Sequence, residues 1–331
     1  MSVPPIFIDS EMQALFEKQG FVVIPDFLNK EEITHMDTLF DELHPTLPES
    51  GFFAGSYSPD FEYKKKVSEE IKVVYKRTYE QYFKDYTPFG GAFLFKMPSE
   101  NSDLFIHQDW TVVDESKQLA LNIWVPLCDV DLENGPLMVL PGSHYPNFPV
   151  LRAPTIRYFF DHDYSKAMEQ LIPLTVKAGT AVVLSQSLIH YSPSNKSSKI
   201  RKAITAGLKT KDSQMIFHFK DPNKTENVLE KFEMDDDFFI QFENFFEDIY
   251  KRPEVGKSVG FIEYEVPNLV GNELTELLKE MKQKAGYNFV ETEKTEKIDF
   301  RTEEKETRSF WQIYTPKNIF TEILSKLNLR K

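Results

Sequence analysis

Two spacings of apolar side chains divide the chain. Early on they recur at the helical period; after Phe89-Gly90-Gly91 they fall into short β-like runs punctuated by Gly, Pro and Asn-Gly. Residues 10–19 predict a short helix, and GFVVIPDFL (20–28) a strand closed by Pro25. Asn29 stands where an N-cap belongs, ahead of the helical pattern KEEITHMDTLFDELH. Residues 45–61 hold three prolines and two glycines and read as a loop, and 67–86 as a helix. Strands are expected at 92–98, 103–109, 119–127, 135–144, 179–190 and 200–210. Between two of them, residues 145–175 form a long, aromatic and polar insertion. From about residue 225 the chain is acidic and is expected to be helical, including MDDDFFIQFENFFEDIY (234–250). Helices followed by closely spaced strands predict a β sandwich or barrel with helical packing.

Composition narrows the partners. With 41% hydrophobic and 27% charged residues, the 331-residue chain has the balance of a globular protein. A net charge of −13 disfavours nucleic acid and anionic membrane surfaces. The single cysteine, Cys128, excludes an intrachain disulfide and suits a reducing cytosol. The N-terminus lacks a basic stretch followed by an apolar core, and no run of 18 apolar residues occurs, so a cytoplasmic protein without a membrane span is expected.

The candidate chemistry centres on LFIHQDW (104–110). Two H-x-D pairs occur. His35 and Asp37 lie in a helical pattern, where positions i and i+2 do not share a face. His107 and Asp109 end a predicted strand, where i and i+2 point to the same side and can grip one ion. His190, at the end of GTAVVLSQSLIH, is the candidate third ligand. Two histidines and a carboxylate form the facial triad of non-haem Fe(II) oxygenases, which leaves coordination positions open. The same spacing also suits a hydrogen-bonded His–Asp pair with an unrelated, exposed His190. In IRKAITAGL (200–208), alternation puts Arg201, Ala203, Thr205 and Gly207 on one face. A guanidinium at the end of such a hollow suits the carboxylate of a small diacid, with the Ser192 hydroxyl as a second contact; a surface salt bridge is the plainer reading of Arg201.

HQDW (107–110), NGPLMVLPGSH (134–144) and HYS (190–192), with Arg201 eleven residues after His190, together resemble the phytanoyl-CoA dioxygenase family of Fe(II)/2-oxoglutarate oxygenases. FEKQGFVVIPDFLNKEEI (16–33) is similar to that family's N-terminal helix–strand–helix, and the resemblance covers roughly residues 10–225. It implies a mainly β fold with flanking helices and a double-stranded β-helix (jelly-roll, cupin-like) core. His107, Asp109 and His190 match the iron ligands. Arg201 and Ser192 match the groups on the distal carboxylate of 2-oxoglutarate, and Asn122 and Trp124 fall where the cosubstrate pocket is lined. Where relatives carry a polar residue before a Lys-Pro, this chain reads LFKMP (94–98). The expected organisation is a dioxygenase domain over 1–225 and an acidic, largely helical extension over 226–331 that packs on it.

The implied reaction is hydroxylation of a small organic substrate, free or carrier-attached, with 2-oxoglutarate and O2 giving succinate and CO2. A halogenase would lack the carboxylate ligand that Asp109 supplies. A non-catalytic barrel, or a cupin-like metalloprotein independent of 2-oxoglutarate, needs neither Arg201 nor Ser192. Substrate contacts are expected from loops 45–61, 110–117 and 145–175, through Phe52, Phe53, Tyr57, Trp110, Tyr158 and Phe159. Trp110 and Asp114 are placed at the entrance. Arg152 and Arg157, with His162 nearby, are expected either to meet an anionic group on the substrate or to offset neighbouring acids. His144 is expected to be structural.

Overall fold

The computed structural model describes residues 5–144, 148–224 and 227–290. Helix α1, Ser10–Gln19, starts at Asp9, whose side chain accepts from the Met12 amide, and ends at Gly20 in the left-handed region (φ 85°). Strand β1, Phe21–Ile24, follows. Helix α2, Lys30–Leu43, opens with a capping box between Asn29 and Glu32. After β2, Phe52–Ala54, helix α3 runs Phe61–Tyr82. It begins earlier than the expected 67 because the Asp60 carboxylate accepts from the Tyr63 amide at 3.0 Å and fixes the first turn there.

The barrel strands are β3 Tyr86–Lys96, β4 Leu104–His107, β5 Ala120–Pro126, β6 Leu137–Val139, β7 Ile172–Leu174, β8 Ala181–Ser185, β9 His190–Ser192 and β10 Arg201–Thr210, with the short helix α4, Tyr164–Met168, in the insertion before β7. One sheet has the order β1-β8-β5-β10-β3-β2 and the other β4-β9-β6-β7. From β3 to β10 the chain crosses back and forth between the two antiparallel sheets, which is the topology of a double-stranded β-helix. The larger sheet is buried on both faces. Its outer side packs on the helices through Ile71, Tyr75, Phe93, Ile123 and Ile204, and its inner side meets the smaller sheet through Trp124, Val139, Val182 and Leu184. This double burial explains why AVVLS of β8 is buried throughout and lacks apolar–polar alternation.

Two expectations need correction. The predicted strand 179–190 is two strands in different sheets. At Ser185 the chain turns, with the Leu188 amide bonded to the Ser185 carbonyl at 2.9 Å, so His190 begins β9 and does not end β8. Continuous apolarity hid the turn, because both strands and the Leu188-Ile189 corner are buried. Nor is the chain after 226 largely helical where it is described. Strands β11 Met215–Phe219, β12 Val228–Met234 and β13 Lys257–Glu263 form a third sheet, with helices α5 Phe245–Asp248 and α6 Gly271–Lys284. In β12 (VLEKFEM) the buried residues include Leu229, Phe232 and Met234, and the intervening charges mask that face. Residues 291–331 of the expected extension, and 145–147 of the insertion, lie outside the described residues.

One irregularity shapes the interior. Pairing of β10 with β3 passes from Thr205↔Ala92 to Gly207↔Phe89, leaving an extra residue in β3 at Gly90-Gly91. A Cβ on Gly91 would come within 2.9 Å of the Ser68 Cα, and one on Gly207 within 2.2 Å of the Phe89 ring. The bulge therefore lays Phe89 over Gly207, which pairs with Asn122 on the other side.

Candidate active site

His107 and His190 face each other across β4 and β9, where they are register partners, with ring centroids 4.1 Å apart. The Nδ1 of His107 donates to the Phe105 carbonyl at 2.8 Å, and that of His190 to the Leu188 carbonyl at 2.9 Å. A carbonyl only accepts, so each Nδ1 carries the proton and each Nε2 presents a lone pair. Asp109 Oδ1 lies 3.7 Å from His107 Nε2 and 3.9 Å from His190 Nε2. One ligand atom from each residue falls within 4.8 Å of the others. Two metal–ligand bonds of about 2.0–2.2 Å each span such separations. Burial and the neighbouring His190 ring push the His107 imidazole well below its usual range, so it stays neutral and able to ligate.

Supporting contacts aim the carboxylate. Asn122 donates to Asp109 Oδ2 at 3.0 Å, which turns Oδ1 toward the imidazoles, and the Thr205 hydroxyl donates in turn to Asn122 Oδ1. Asn122, expected to line the cosubstrate pocket, lines the cavity shared with the metal group, with its amide nitrogen committed to the Asp109 carboxylate. Arg152 is 2% exposed; its Nε donates to the Asp109 carbonyl at 2.8 Å, and its terminal nitrogens bond the Val150 carbonyl and the Glu115 carboxylate. The expectation that Arg152 and Arg157 meet substrate is therefore corrected. Arg152 is spent holding the Asp109 loop, Arg157 is exposed, and neither lines the cavity. Asp114 is likewise turned to a local turn with Ser116 and to Lys117, away from the cavity. His35 and Asp37 diverge, to Glu70 and to Lys202, as helical spacing requires. His144 is buried in packing, bonded to the Glu17 carbonyl.

The metal group opens into a cavity of about 2480 Å3 that also takes in Trp110, Asn122, Trp124, Ser192 and Arg201. Arg201 is 3% exposed and stacks on Trp124, with its guanidinium 5.4 Å from the ring centroid. No carboxylate pairs with it among the described residues, and its Nε has no hydrogen-bond partner. Burial pushes this guanidinium down to about 10. Its register partner is a second buried basic residue, Lys96, which burial and the Arg201 charge hold well below the ordinary lysine value and whose Nζ donates to the Ser192 and Pro193 carbonyls at 2.8 and 2.6 Å. Ser192 Oγ donates to the Gly135 carbonyl at 3.1 Å. A buried cation without a counter-ion, in a cavity shared with a metal group, fits a small dianion that both ligates the metal and supplies a carboxylate to Arg201.

Of the expected loop aromatics, Phe52, Phe53, Tyr57, Trp110 and Tyr158 line the cavity, whereas Phe159 is buried in a separate core cluster. Sequence reasoning missed the other wall. Phe239, Phe245, Phe246 and Tyr250, from the segment assigned to packing, line the same space. The dense phenylalanines of FFIQFENFF were the available signal.

A double-stranded β-helix that turns two imidazoles and a carboxylate into one cavity defines a mononuclear metal-site barrel. The chain belongs to the phytanoyl-CoA dioxygenase (PhyH) family, whose model matches residues 16–203. Phytanoyl-CoA dioxygenase domain-containing protein 1 of Mus musculus is 32% identical over 123 residues, 35% of this chain and 42% of the mouse protein. Phytanoyl-CoA dioxygenase 1 of Oryza sativa subsp. japonica is 30% identical over 115 residues, 34% of this chain and 41% of the rice protein. The chain thus spans about two-fifths of the length of these curated relatives. Among solved structures, the non-heme alpha ketoglutarate dependent carbocyclase SnoK from nogalamycin biosynthesis is similar over 63% of this chain and 86% of its own, at 21% identity and a TM-score of 0.46.

Proposed function

We propose that the protein is an Fe(II)- and 2-oxoglutarate-dependent dioxygenase that hydroxylates a small organic substrate. The observation that carries this reading is the buried, unpaired Arg201 sharing a cavity with His107, Asp109 and His190. The three residues hold the iron through Nε2, Oδ1 and Nε2. Arg201 takes the distal carboxylate of 2-oxoglutarate, and Trp124 fixes the guanidinium plane. Ser192 assists by turning its hydroxyl from Gly135 toward that carboxylate. Bound iron with 2-oxoglutarate and O2 supplies the oxidising power: one oxygen atom ends in succinate, CO2 leaves, and the other oxygen atom enters a substrate C–H bond.

The residues around the centre orient and exclude. Asn122 and Arg152 keep Asp109 in a single pose, so the three ligand atoms would be held in one arrangement for a bound ion. Asp109 speaks against a halogenase, which would leave that position to halide. Arg201 speaks against a 2-oxoglutarate-independent metalloprotein. A cytoplasmic setting is part of the reading: the lone, half-buried Cys128 suits a reducing compartment, and no helix among the described residues is long and apolar enough to cross a membrane. The test is succinate formation from 2-oxoglutarate by the anaerobically reconstituted protein. Turnover should require iron and O2 and should disappear in His107→Ala and His190→Ala. Full iron occupancy in both variants would sink the ligand assignment.

A further inference from the structure

The outer wall of the cavity comes from beyond the family match, which ends at residue 203. It is the segment from the turn Phe238–Ile240 through α5 to Tyr250. Buried Lys64 of α3 donates to the Phe242 carbonyl at 2.5 Å and fastens this segment to the helical layer. Two of its rings stack on Trp110, the residue after Asp109: Phe239 at 5.7 Å and 28°, Phe245 at 6.1 Å and 10°. Phe245 and Phe246 also meet Tyr57, at 4.8 and 4.7 Å. All five rings line the cavity, a wall of flat apolar faces beside the metal group.

A polar feature accompanies the wall. Gln186 is 6% exposed, lines the cavity, and its Oε1 has no hydrogen-bond partner. Leu184 pairs with Asn122, so Gln186, two residues on, follows on the same side, one step past Asn122 and away from the Trp124–Arg201 end. A buried amide carbonyl lacking a donor calls for one from a ligand. The charges around the cavity set the sign. Among the described residues, five carboxylates besides the candidate metal ligand Asp109 line it (Asp60, Glu100, Asp103, Asp161 and Glu169) against three cations, Lys64, Lys196 and Arg201. Arg201 sits at the cosubstrate end and Lys64 is bonded to Phe242, which leaves Lys196, alone among the described residues, to meet an anionic substrate group.

Resting on the dioxygenase reading, we propose that segment 238–250 and Gln186 select an uncharged, ring-bearing substrate with an O–H or N–H donor, and that polyanionic thioesters such as acyl-coenzyme A are rejected. The wall supplies stacking surface, Gln186 takes the donor, and the acidic surround repels a phosphate-rich carrier.

The probe for the test is N-phenyl-1-naphthylamine, which is neutral, aromatic and carries one N–H. Its fluorescence is titrated into the full chain with 2-oxoglutarate present, and the 2-oxoglutarate affinity of each variant is measured by calorimetry. The parent should bind the probe and quench Trp110, and palmitoyl-coenzyme A should fail to displace it. Phe245→Ala and Phe239→Ala should each weaken probe binding by about tenfold or more, as truncation of a stacked anchor does, with 2-oxoglutarate affinity intact. Should Phe245→Ala also lose 2-oxoglutarate, Phe245→Leu is the variant to read, since it keeps apolar bulk and removes the stacking face. Gln186→Leu should weaken this probe and leave 1-phenylnaphthalene, which lacks the N–H, unaffected. Probe affinity unchanged in the Phe and Gln variants, or displacement by palmitoyl-coenzyme A at equal concentration, overturns the proposal. Probe fluorescence requires no turnover, so a parent that binds probe but not 2-oxoglutarate would sink the dioxygenase reading separately.

Discussion

Replacing Arg201 by Met should raise the stability of the ligand-free protein while abolishing tight 2-oxoglutarate binding. Methionine keeps most of the stem that packs on Trp124 and deletes the charge. Burial lowers this guanidinium from its ordinary value to about 10, a penalty on the charged form of roughly 3 kcal/mol. The sign is clear: a cation whose folded pKa lies below its unfolded one weakens the fold at every pH below about 10, and relief comes only as pH rises above that. Loss of the stacking contact with Trp124 takes back about 0.5–2 kcal/mol. The net expectation is a gain on the order of 1–2 kcal/mol, read as a higher urea midpoint with an unchanged m-value. With 2-oxoglutarate most or all of that gain should be offset. A ligand at about 100 times its Kd stabilises the parent by roughly 2.7 kcal/mol. The variant, short of a buried charged contact worth about 2–5 kcal/mol, should bind roughly 30-fold or more weakly. Denaturation with and without 2-oxoglutarate should therefore show the variant's lead shrinking by roughly 1.8 kcal/mol or more. A ligand-free variant less stable than the parent by more than about 1 kcal/mol would mean that Arg201 serves the fold, and equal 2-oxoglutarate affinity would refute its role outright.

Arg152→Met should destabilise by about 3–5 kcal/mol, because Glu115 keeps a charge without its partner. The double variant Arg152→Met/Glu115→Gln should recover part of that in urea unfolding while still binding iron more weakly than the parent, since the Asp109 carbonyl has lost its donor. Burial holds His144 and His218 down to about 4 against an ordinary value of 6.5. Below pH 6.5 the unfolded chain takes up protons that the folded chain refuses until about pH 4, so each histidine should remove stability by about 1.4 kcal/mol per pH unit across that window. His218→Gln should reduce the slope near pH 5 by about one proton; an unchanged slope would show that His218 is not held neutral.

Local chemistry was readable wherever neighbours in sequence settle it. Helical spacing separated His35 from Asp37, and Asn29 capped its helix; His107 and Asp109 do come together, but from the end of β4 and the loop after it, since the strand expected over 103–109 stops at His107. Arg201 and its small-residue face were legible because β10 is regular along that stretch. What failed depended on distant partners. For Arg152 the sequence leaves open an anionic substrate group or neighbouring acids, and only Glu115 and the Asp109 carbonyl, both far along the chain, decide for the second by closing around it. The break between β8 and β9 is invisible in LSQSLIH because both sides of the turn are buried. The aromatic segment 238–250 looked like core material, and only the folded chain shows its rings turned to the cavity.

The candidate metal ligands come from two paired strands of one sheet, β4 and β9, and the loop that follows β4, whereas the aromatic wall belongs to a later segment held by Lys64 and by stacking on Trp110. These two parts can therefore change at different rates. A substitution at Phe239 or Phe246 reshapes the surface that receives the substrate and leaves the backbone carrying His107, Asp109 and His190 untouched. Relatives with the same oxidising centre can thus diverge to new molecules by rewriting a dozen or so residues after the barrel has closed, and exchange of that segment between homologues should move substrate preference as a unit.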